Sequence, residues 1–217
     1  MPDNSVDLTL TDIPYGEVNL SEESGLRKLK KGKADEMTFN LLEFMEEVYR
    51  ITRGTITIFC GQRQMSSIVD YYYDLHDLYG KKHSVRQIVW IKANPSPLNG
   101  QYGYLSGVEN GVMVKKQGAT FNAFCKINAF RHPTGSSEMH PTEKNHNLLA
   151  ELIADNSNVG DLVFDPCAGS GSTLLVAHNM GRRYIGCELD ETFYKAAKKR
   201  LDTETAQMNL FDYIKEG

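Results

Sequence analysis

Short runs rich in β-branched and aromatic residues alternate along this chain with stretches whose apolar residues recur at helical spacing. The runs predict five strands, at residues 6–11, 55–60, 87–92, 162–165 and 184–188. The helical spacing predicts four helices, at residues 39–49, 144–155, 172–180 and 191–201. Because strands and helices alternate, the pattern predicts an α/β fold built on parallel strands.

One long stretch interrupts this alternation. Residues 94–137 are rich in glycine, asparagine, serine and aromatic residues, and Pro95 and Pro97 stand near its start. This composition predicts an irregular insertion rather than another strand and helix. Loops of this length inside a domain tend to be functional or disordered.

The composition is that of an ordinary globular protein. The chain has 217 residues, of which 41% are hydrophobic and 24% charged, enough for one domain with a core of its own. We find no apolar run long enough to cross a bilayer, and the first residues do not resemble a secretory signal. The four cysteines form no C-x-x-C pair, which predicts reduced thiols in a cytoplasm rather than disulfides or a zinc site.

The net charge of −4 argues against a surface that is basic throughout, but a local basic face would suffice to bind nucleic acid. Such a face is available in one short stretch that contains Arg27, Lys28, Lys30, Lys31 and Lys33. A charge run of this kind is usually a solvated loop. Its position shortly after the first chemical motif favours a role in binding.

A glycine-rich motif follows the predicted strand at residues 162–165 and opens a helix. Gly169 and Gly171 allow a tight turn and the close approach of a ligand. Glu188 ends the next strand, nineteen positions after Gly169, where a carboxylate can accept hydrogen bonds from the ribose hydroxyls of an adenosine. The same pattern would suit an enzyme that binds a dinucleotide nearly as well. If the motif binds no ligand, it is simply a tight turn between a strand and a helix.

A second motif, Asp12-Ile13-Pro14-Tyr15, ends the first predicted strand. Pro14 favours an extended Ile13, so the Asp12 carboxylate and the Ile13 carbonyl can accept both hydrogens of an exocyclic amine. Two acceptors would aim the nitrogen lone pair away from the ring, and Tyr15 would stack on a base extruded from a duplex. The alternative is a turn with a helix-capping Asp12 and a buried Tyr15.

Both motifs stand at the ends of predicted strands. Because two strand ends of a doubly wound sheet can face one cleft, the two motifs can share a site although they are far apart in the sequence.

These two motifs resemble the catalytic D-P-P-Y and cofactor-binding F-x-G-x-G motifs of the amino-methylating DNA methyltransferases. Their order, with the catalytic motif first, resembles the beta group of that family. Four further segments are similar to family segments: TITIFCGQ at 55–62, IVWIKANP at 88–95, HPTEK at 140–144 and YIGCELD at 184–190. The resemblance therefore covers nearly the whole chain.

The resemblance implies a doubly wound, mostly parallel, seven-stranded Rossmann-like sheet and S-adenosylmethionine as the cofactor. It implies one methyltransferase domain with a catalytic part at 1–93, a target-recognition insertion at 94–139, a cofactor-binding part at 140–206 and a tail at 207–217. It assigns the following residues to the cofactor: Asp165, Pro166, Cys167, Ala168, Gly169, Gly171 and Glu188, with Thr142 and Lys144 near its methionine end. Lys144 would then pair with the methionine carboxylate, unless it is a lysine on a helix surface.

The resemblance also implies a site-specific enzyme that methylates double-stranded DNA, of the kind found in restriction-modification. The family has proline where this chain has Ile13, but the carbonyl that the chemistry needs remains. An aspartate in the first position leans to N6 of adenine by family habit, and N4 of cytosine stays open. In the insertion, Lys115, Lys116 and Arg131 are the candidates for phosphate contacts.

Two protein partners were considered. The segment Gln207-Met208-Asn209-Leu210-Phe211 resembles the peptides that bind the replication sliding clamp, but docking on the protein's own core is the favoured interpretation. The other candidate partner is a second copy of the chain, in a homodimer.

Three rival functions were considered. An NAD-dependent dehydrogenase would leave the Asp12 motif unexplained, and a C5-cytosine methyltransferase would need Cys167 as its nucleophile inside the cofactor turn. A DNA-binding relative without activity is the third. The histidines fit no zinc pattern, and we expect no metal.

Overall fold

The computed structural model describes residues 1–15, 37–97, 100–134 and 143–215, with side chains as far as residue 206. In chain order the elements are β1 (Val6–Asp12), α1 (Leu41–Ile51), β2 (Thr52–Cys60), α2 (Gln62–Asp77), β3 (His83–Lys92), β4 (Val108–Lys116), β5 (Ala129–His132), α3 (His146–Asn156), β6 (Leu162–Asp165), α4 (Ser172–Asn179), β7 (Arg183–Gly186) and α5 (Glu191–Lys215).

All seven of these strands belong to one sheet, in the order β5-β3-β4-β2-β1-β6-β7. β4 pairs antiparallel with β2 and β3, whereas the other neighbouring strands pair in parallel. The predicted α/β fold with a mostly parallel, seven-stranded sheet is therefore confirmed. β1 lies between β2 and β6. The strands β2 to β5, which follow it in the sequence, lie on one side of it, whereas β6 and β7 lie on the other. A doubly wound sheet opens its ligand crevice at such a point.

Helices cover both faces of the sheet. On one face α1 and α2 bury Met45, Val48, Ile68 and Tyr72 against a group of strand residues that includes Ile56, Ile58, Val112 and Val114. On the other face α3 and α4 bury Leu148, Leu149, Leu152 and Val176 against Leu8, Leu10, Phe59 and Trp90. Along β2, Ile58 and Cys60 belong to the first cluster and Phe59 between them to the second, as the pleat of a strand requires.

The polar residues of β1 bind the neighbouring strands. The hydroxyls of Thr9 and Thr52 form a buried hydrogen bond of 2.6 Å between β1 and β2. Asp7 accepts a hydrogen bond of 2.8 Å from the backbone N–H of Leu162 and forms an ion pair with Arg53. The polar side chains thus hold a buried strand to both of its neighbours.

The prediction of an irregular stretch at 94–137 was wrong for β4 and β5. Val112 and Val114 are fully buried in the middle of the sheet. The strand was missed because Gly111 interrupts its pattern, yet a side chain there would press on Ile88 and on the Ile58 carbonyl. The amphipathic helix α2 was also absent from the prediction.

The last helix is longer than predicted. α5 continues to Lys215, so residues 207–215 are helical instead of forming the expected tail. The side chains of Gln207–Phe211 lie outside the described residues, as does any contact that they make. None of the described helices combines the length and the apolar character that a membrane crossing requires.

We predict that Gly54→Ala destabilises the fold, because a Cβ at Gly54 would lie 1.9 Å from the backbone oxygen of Asp7. The expected loss in the free energy of unfolding is about 2–4 kcal/mol, measured by urea denaturation. The control is Gly103→Ala, since nothing lies within 4 Å of a Cβ at Gly103. That substitution should change stability by less than about 0.5 kcal/mol. Equal stability of the two variants would contradict the close packing of β1 on β2.

Candidate active site

The Asp12–Tyr15 motif leaves the end of β1 in a fixed conformation. The Ile13 N–H donates to the Phe59 carbonyl at 3.2 Å, which continues the pairing of β1 with β2. The Ile13 side chain is 1% exposed and packs in the core, which accounts for an apolar residue at this position. The Pro14 carbonyl accepts a hydrogen bond of 2.8 Å from Gln64 in the first turn of α2.

Lys144 lies at the centre of a cluster of charges around Asp12. Its Nζ donates to Asp12 Oδ2 at 2.6 Å, to Glu109 Oε2 at 2.7 Å and to the Tyr15 hydroxyl at 3.1 Å. The Tyr15 hydroxyl in turn donates to Asp12 Oδ1 at 2.8 Å. The Lys144 side chain is 8% exposed, so these interactions take place largely away from water.

Glu109 enters this cluster because β4 is antiparallel. The first residues of β4 lie at the sheet edge where the parallel strands end, and Asn110 pairs there with Cys60, the last residue of β2. Lys92 ends β3 at the same edge, and its Nζ lies 2.9 Å from Glu109 Oε1. Glu109 therefore has an ammonium group against each of its two oxygens. The sequence analysis missed Glu109, because nothing local distinguishes it from a surface glutamate.

Burial and neighbouring charges shift the pKa values in the cluster in different directions. Burial raises the pKa of Asp12, although Lys144 opposes the shift. Burial also favours neutral Glu109, but Lys144 and Lys92 prevail and lower the pKa of Glu109 to about 2. Burial alone would lower the pKa of Lys144, whereas the carboxylates of Asp12 and Glu109 outweigh that effect and raise it. Lys144 and Glu109 are therefore ionised at neutral pH. Of the two carboxylic acids in the cluster, Asp12 is the one whose ionised form is less favoured.

The glycine-rich loop after β6 is shaped by its backbone. Gly169 and Gly171 have φ values of 49° and 76°, in the left-handed region that favours glycine. A Cβ at Gly171 would lie 3.3 Å from the Cβ of Ala197, so the missing side chain also lets α5 approach. The Ala168 N–H donates to the Cys187 carbonyl at 2.8 Å and holds the loop beside the end of β7.

Glu188 is anchored by backbone groups on both sides. One carboxylate oxygen accepts a hydrogen bond of 2.9 Å from the Gly169 N–H, and the other accepts one of 2.9 Å from the Asp190 N–H. The side chain of Leu189 next to it is 82% exposed. An oriented carboxylate beside an exposed apolar side chain suits a ligand that carries both hydroxyl groups and a flat ring.

Asp165 is a buried acid at the end of β6, 3% exposed. Its Oδ1 accepts a hydrogen bond of 3.1 Å from the Cys167 N–H. The pKa of Asp165 is raised to about 6, chiefly by burial and in smaller part by the charge of nearby Asp12. Burial and the charge of Asp165 also raise the pKa of the Cys167 thiol, which makes it a poor nucleophile.

The structure brings the two motifs to one edge of the sheet. β1 and β6 are parallel neighbours, with Thr9 opposite Phe164, so Asp12 and Asp165 both follow at the same end. The electrostatic interaction of Asp12 with Asp165 and Cys167 reflects this closeness. The two strand ends therefore lie at the same edge of the sheet, and a ligand crevice between them stays a prediction.

Lys144 does not lie on a helix surface, which was one of the two expectations for it. Its ammonium group is buried between Asp12 and Glu109. The reason is the register of β4, which places a second carboxylate beside Asp12. Lys144 therefore belongs to the catalytic candidates. The other expectation, a pairing with the carboxylate of a cofactor, stays a prediction.

Lys115 and Lys116 were expected to contact DNA, but they lie at the opposite edge of the sheet. Lys115 pairs with Thr55, five residues along β4 from Asn110, a distance of about 17 Å at ~3.4 Å per residue. The Lys116 ammonium group lies 3.8 Å from the ring centre of Tyr49, and burial lowers the pKa of Lys116 to about 8. The structure does not bring Lys115 and Lys116 to the site, because an antiparallel strand runs away from it, and their contact with DNA stays a prediction.

The other expected residues divide into two groups. Arg131 is exposed near the end of β5, opposite Ile91 in β3, and so lies toward the same edge as Asp12. Four basic residues and one hydroxyl residue lie outside the described residues: Arg27, Lys28, Lys30, Lys31 and Thr142.

A second polar cluster, also missed by the sequence analysis, supports the glycine-rich loop. Glu143 accepts hydrogen bonds from Arg200 at 2.6 Å and from Ser172, and His146 Nε2 lies 3.0 Å from its Oε1. It thereby ties the start of α3 to α4 and α5. Because its members come from three helices, no single segment of sequence reveals the cluster.

Comparisons with known proteins agree with this geometry. A sequence model of the DNA methylase family, which comprises N6 and N4 methyltransferases, matches residues 107–199. Type II methyltransferase M.HpaI of Haemophilus parainfluenzae is 29% identical, with 100% of this chain and 73% of that protein covered. Type II methyltransferase M2.DpnII of Streptococcus pneumoniae is 25% identical, with 94% and 85% covered.

Solved structures show the same likeness. The crystal structure of the M1.HpyAVI–SAM complex superimposes with a TM-score of 0.69 at 28% identity, covering 91% of this chain and 89% of that one. The PvuII DNA methyltransferase, described as cytosine-N4-specific, has the same fold, with a TM-score of 0.68 at 17% identity and coverage of 91% and 80%.

We predict that Asp165→Asn stabilises the ligand-free protein at pH 7.5. Because the pKa of Asp165 is raised from 3.8 to about 6, ionising it opposes folding above pH 6, and this penalty vanishes below about pH 4. The gain should be on the order of 3 kcal/mol at most at pH 7.5 and should disappear as the pH falls to 4. Urea denaturation across this range measures it.

The matched control for that experiment is Asp70→Asn, at an exposed position of α2. An Asp165→Asn protein no more stable than the wild type at pH 7.5 would contradict the burial of a charged Asp165.

Proposed function

From these similarities we propose that this chain belongs to the DNA methylase family of N6 and N4 methyltransferases and methylates N6 of adenine in double-stranded DNA. Methyl transfer from S-adenosylmethionine to an exocyclic amine of DNA is the activity of the family. The choice of adenine and the roles of individual residues are our proposals. The observation that carries them is the Asp12 carboxylate, held at the sheet edge that also carries the glycine-rich loop.

The residues at the end of β6 and β7 fit S-adenosylmethionine. Glu188, fixed by two backbone N–H groups, is oriented to accept the ribose hydroxyls, and the exposed Leu189 offers an apolar surface beside it. Gly169 and Gly171 place no side chain at two positions of the loop. We propose that Asp165 to Ala168 complete this wall. When bound, the cofactor supplies a methyl group on a positively charged sulfur.

Asp12 and Ile13 would hold the target amine. The Asp12 carboxylate and the Ile13 carbonyl accept its two hydrogens, which directs the nitrogen lone pair out of the plane of the base. Tyr15 offers the face of its ring for stacking on a base that has left the duplex. Pro14, bound by Gln64, keeps these groups in place.

Asp12 would also stabilise the charge that the reaction creates. The amine nitrogen becomes positively charged as it gains a bond to carbon, and a preorganised carboxylate favours that state. The nitrogen must then release a proton. Because burial raises the pKa of Asp12, its carboxylate is a suitable acceptor.

Adenine is favoured over cytosine by one feature of the motif. Both bases present an amine that fits Asp12 and Ile13, so the geometry accommodates either. An aspartate at the first position of the motif resembles the adenine-modifying members of the family. N4 of cytosine is the alternative product.

We propose that the connection between β3 and β4, rather than all of residues 94–139, meets the DNA bases. It joins the two strands at the catalytic edge, and the side chains of Tyr102 and Tyr104 in it are 84% and 106% exposed. Exposed aromatic rings are suited to stack on bases. Arg131 would contact a phosphate at the same edge.

Digestion of the methylated DNA to nucleosides, followed by mass spectrometry, tests the choice of base. We expect N6-methyldeoxyadenosine as the product. N4-methyldeoxycytidine would overturn the adenine proposal and leave the family unchanged, whereas a methyl group on C5 of cytosine would contradict the role of Asp12.

We predict that Asp12→Ala lowers the methylation rate by at least about 100-fold, because the amine loses its charged acceptor. Transfer of a radioactive methyl group to DNA measures the rate, and calorimetry checks that S-adenosylmethionine still binds. Asp70→Asn on the exposed face of α2 is the control and should retain the wild-type rate. An Asp12→Ala enzyme within a few-fold of the wild type would show that Asp12 is not the catalytic acceptor.

A further inference from the structure

We infer that Glu109 is a positioning residue that holds Lys144 and Tyr15 when the target amine takes their place on Asp12. The inference rests on the proposed function, since it concerns the same amine and the same carboxylate. It assigns a role to a residue on β4 that lies in neither of the two motifs.

Both oxygens of Asp12 already have donors. Lys144 Nζ lies 2.6 Å from Oδ2, and the Tyr15 hydroxyl lies 2.8 Å from Oδ1. An amine that donates a hydrogen to this carboxylate has to compete with one of these groups. Displacing Lys144 without another partner would leave a buried ammonium group unpaired, which is strongly unfavourable.

Glu109 is placed to receive both displaced donors. Its Oε2 lies 2.7 Å from Lys144 Nζ and 3.3 Å from the Tyr15 hydroxyl. The two donors of Asp12 are therefore already in contact with a second carboxylate, and a small movement suffices to shift them toward it. Its other oxygen stays bound to Lys92, which keeps the Glu109 side chain in position.

The surroundings confine this exchange to Asp12, Glu109, Lys144 and Tyr15. The rings of Phe59, Tyr15 and Trp90 lie 5.1, 5.4 and 5.8 Å from Lys144 Nζ, so aromatic surface surrounds the ammonium group. Lys144 and Tyr15 face Asp12 at hydrogen-bond distance. The other titratable and charged groups that interact with it electrostatically are Glu109, Asp165 and Cys167, and Lys92 lies beyond Glu109.

Removing the charge of Glu109 should therefore have two effects. Lys144 would be left with Asp12 as its anionic partner in the cluster, so the amine would have to break a buried ion pair to reach the carboxylate. The pKa of Asp12 would also fall, because the negative charge of Glu109 raises it in the wild type. A loss of packing that let water reach Asp12 would also lower that pKa, since burial raises it. Glu109→Asp, which keeps the charge on a shorter side chain, therefore separates the two causes.

The kinetic test uses Glu109→Gln, which keeps the shape of the side chain and removes its charge. Single-turnover methylation of DNA between pH 5 and 9 should slow by about 10- to 100-fold. The acid limb of the rate profile, where Asp12 becomes protonated, should move to lower pH. Glu109→Asp retains the charge and should recover part of the rate with the acid limb near its wild-type position. A wild-type rate in Glu109→Gln would overturn the inference.

A second measurement needs neither cofactor nor DNA. Carbon-13 NMR titration of labelled aspartate carboxyl groups gives the pKa of Asp12 in the free protein, with Asp12→Asn to assign the signal. The pKa should fall in Glu109→Gln and stay near the wild-type value in Glu109→Asp. An unchanged or raised pKa in Glu109→Gln would overturn the inference. Failure of the wild type to methylate DNA would instead refute the proposed function, and the titration would still decide whether Glu109 controls Asp12.

Discussion

The parallel pairing of β1 with its neighbours β2 and β6 determines where the chemistry takes place. It brings the end of the first strand beside the end of a strand more than 150 residues later, and Asp7 fastens the two through the Leu162 N–H at 2.8 Å. The buried Thr9–Thr52 hydrogen bond fixes β1 to β2 on the other side. Every contact of Asp12 depends on this position, because the carboxylate belongs to the last residue of β1.

The balance of charges in the site is a second constraint. This balance depends on β4, which runs antiparallel to its neighbours β2 and β3. Lys144 is buried between two carboxylates, so the cluster tolerates an ammonium group that would be costly alone. Lys92 adds a further positive charge on the far side of Glu109. Positive and negative groups therefore alternate from Lys92 to Asp12, and Asp12, whose pKa is raised, is the one to which we assign the catalytic role.

The sequence predicts what local motifs encode and misses what long-range pairing creates. Asp12–Tyr15 and the glycine-rich loop were recognised because their residues are adjacent and each has a local backbone reason. Glu109 was not, because its importance arises when β4 pairs antiparallel with β2 and starts at the catalytic edge. For the same reason the sequence could not show that Lys115 lies at the opposite edge. Lys144 was a candidate site residue from the sequence, but its contacts with Asp12 and Glu109 could not be foreseen from local motifs.

The connection between β3 and β4 is closed at its base. The Lys92 N–H donates to the Gly107 carbonyl at 2.8 Å, and the Lys92 side chain reaches Glu109 just beyond. Because these two contacts join the ends of β3 and β4, the conformation of the connection need not affect the position of the strands. We therefore expect that segments of different length and composition can be exchanged between Lys92 and Gly107 without moving Asp12 or Glu109. The sequence specificity of such an enzyme could then diversify while its reaction stays the same.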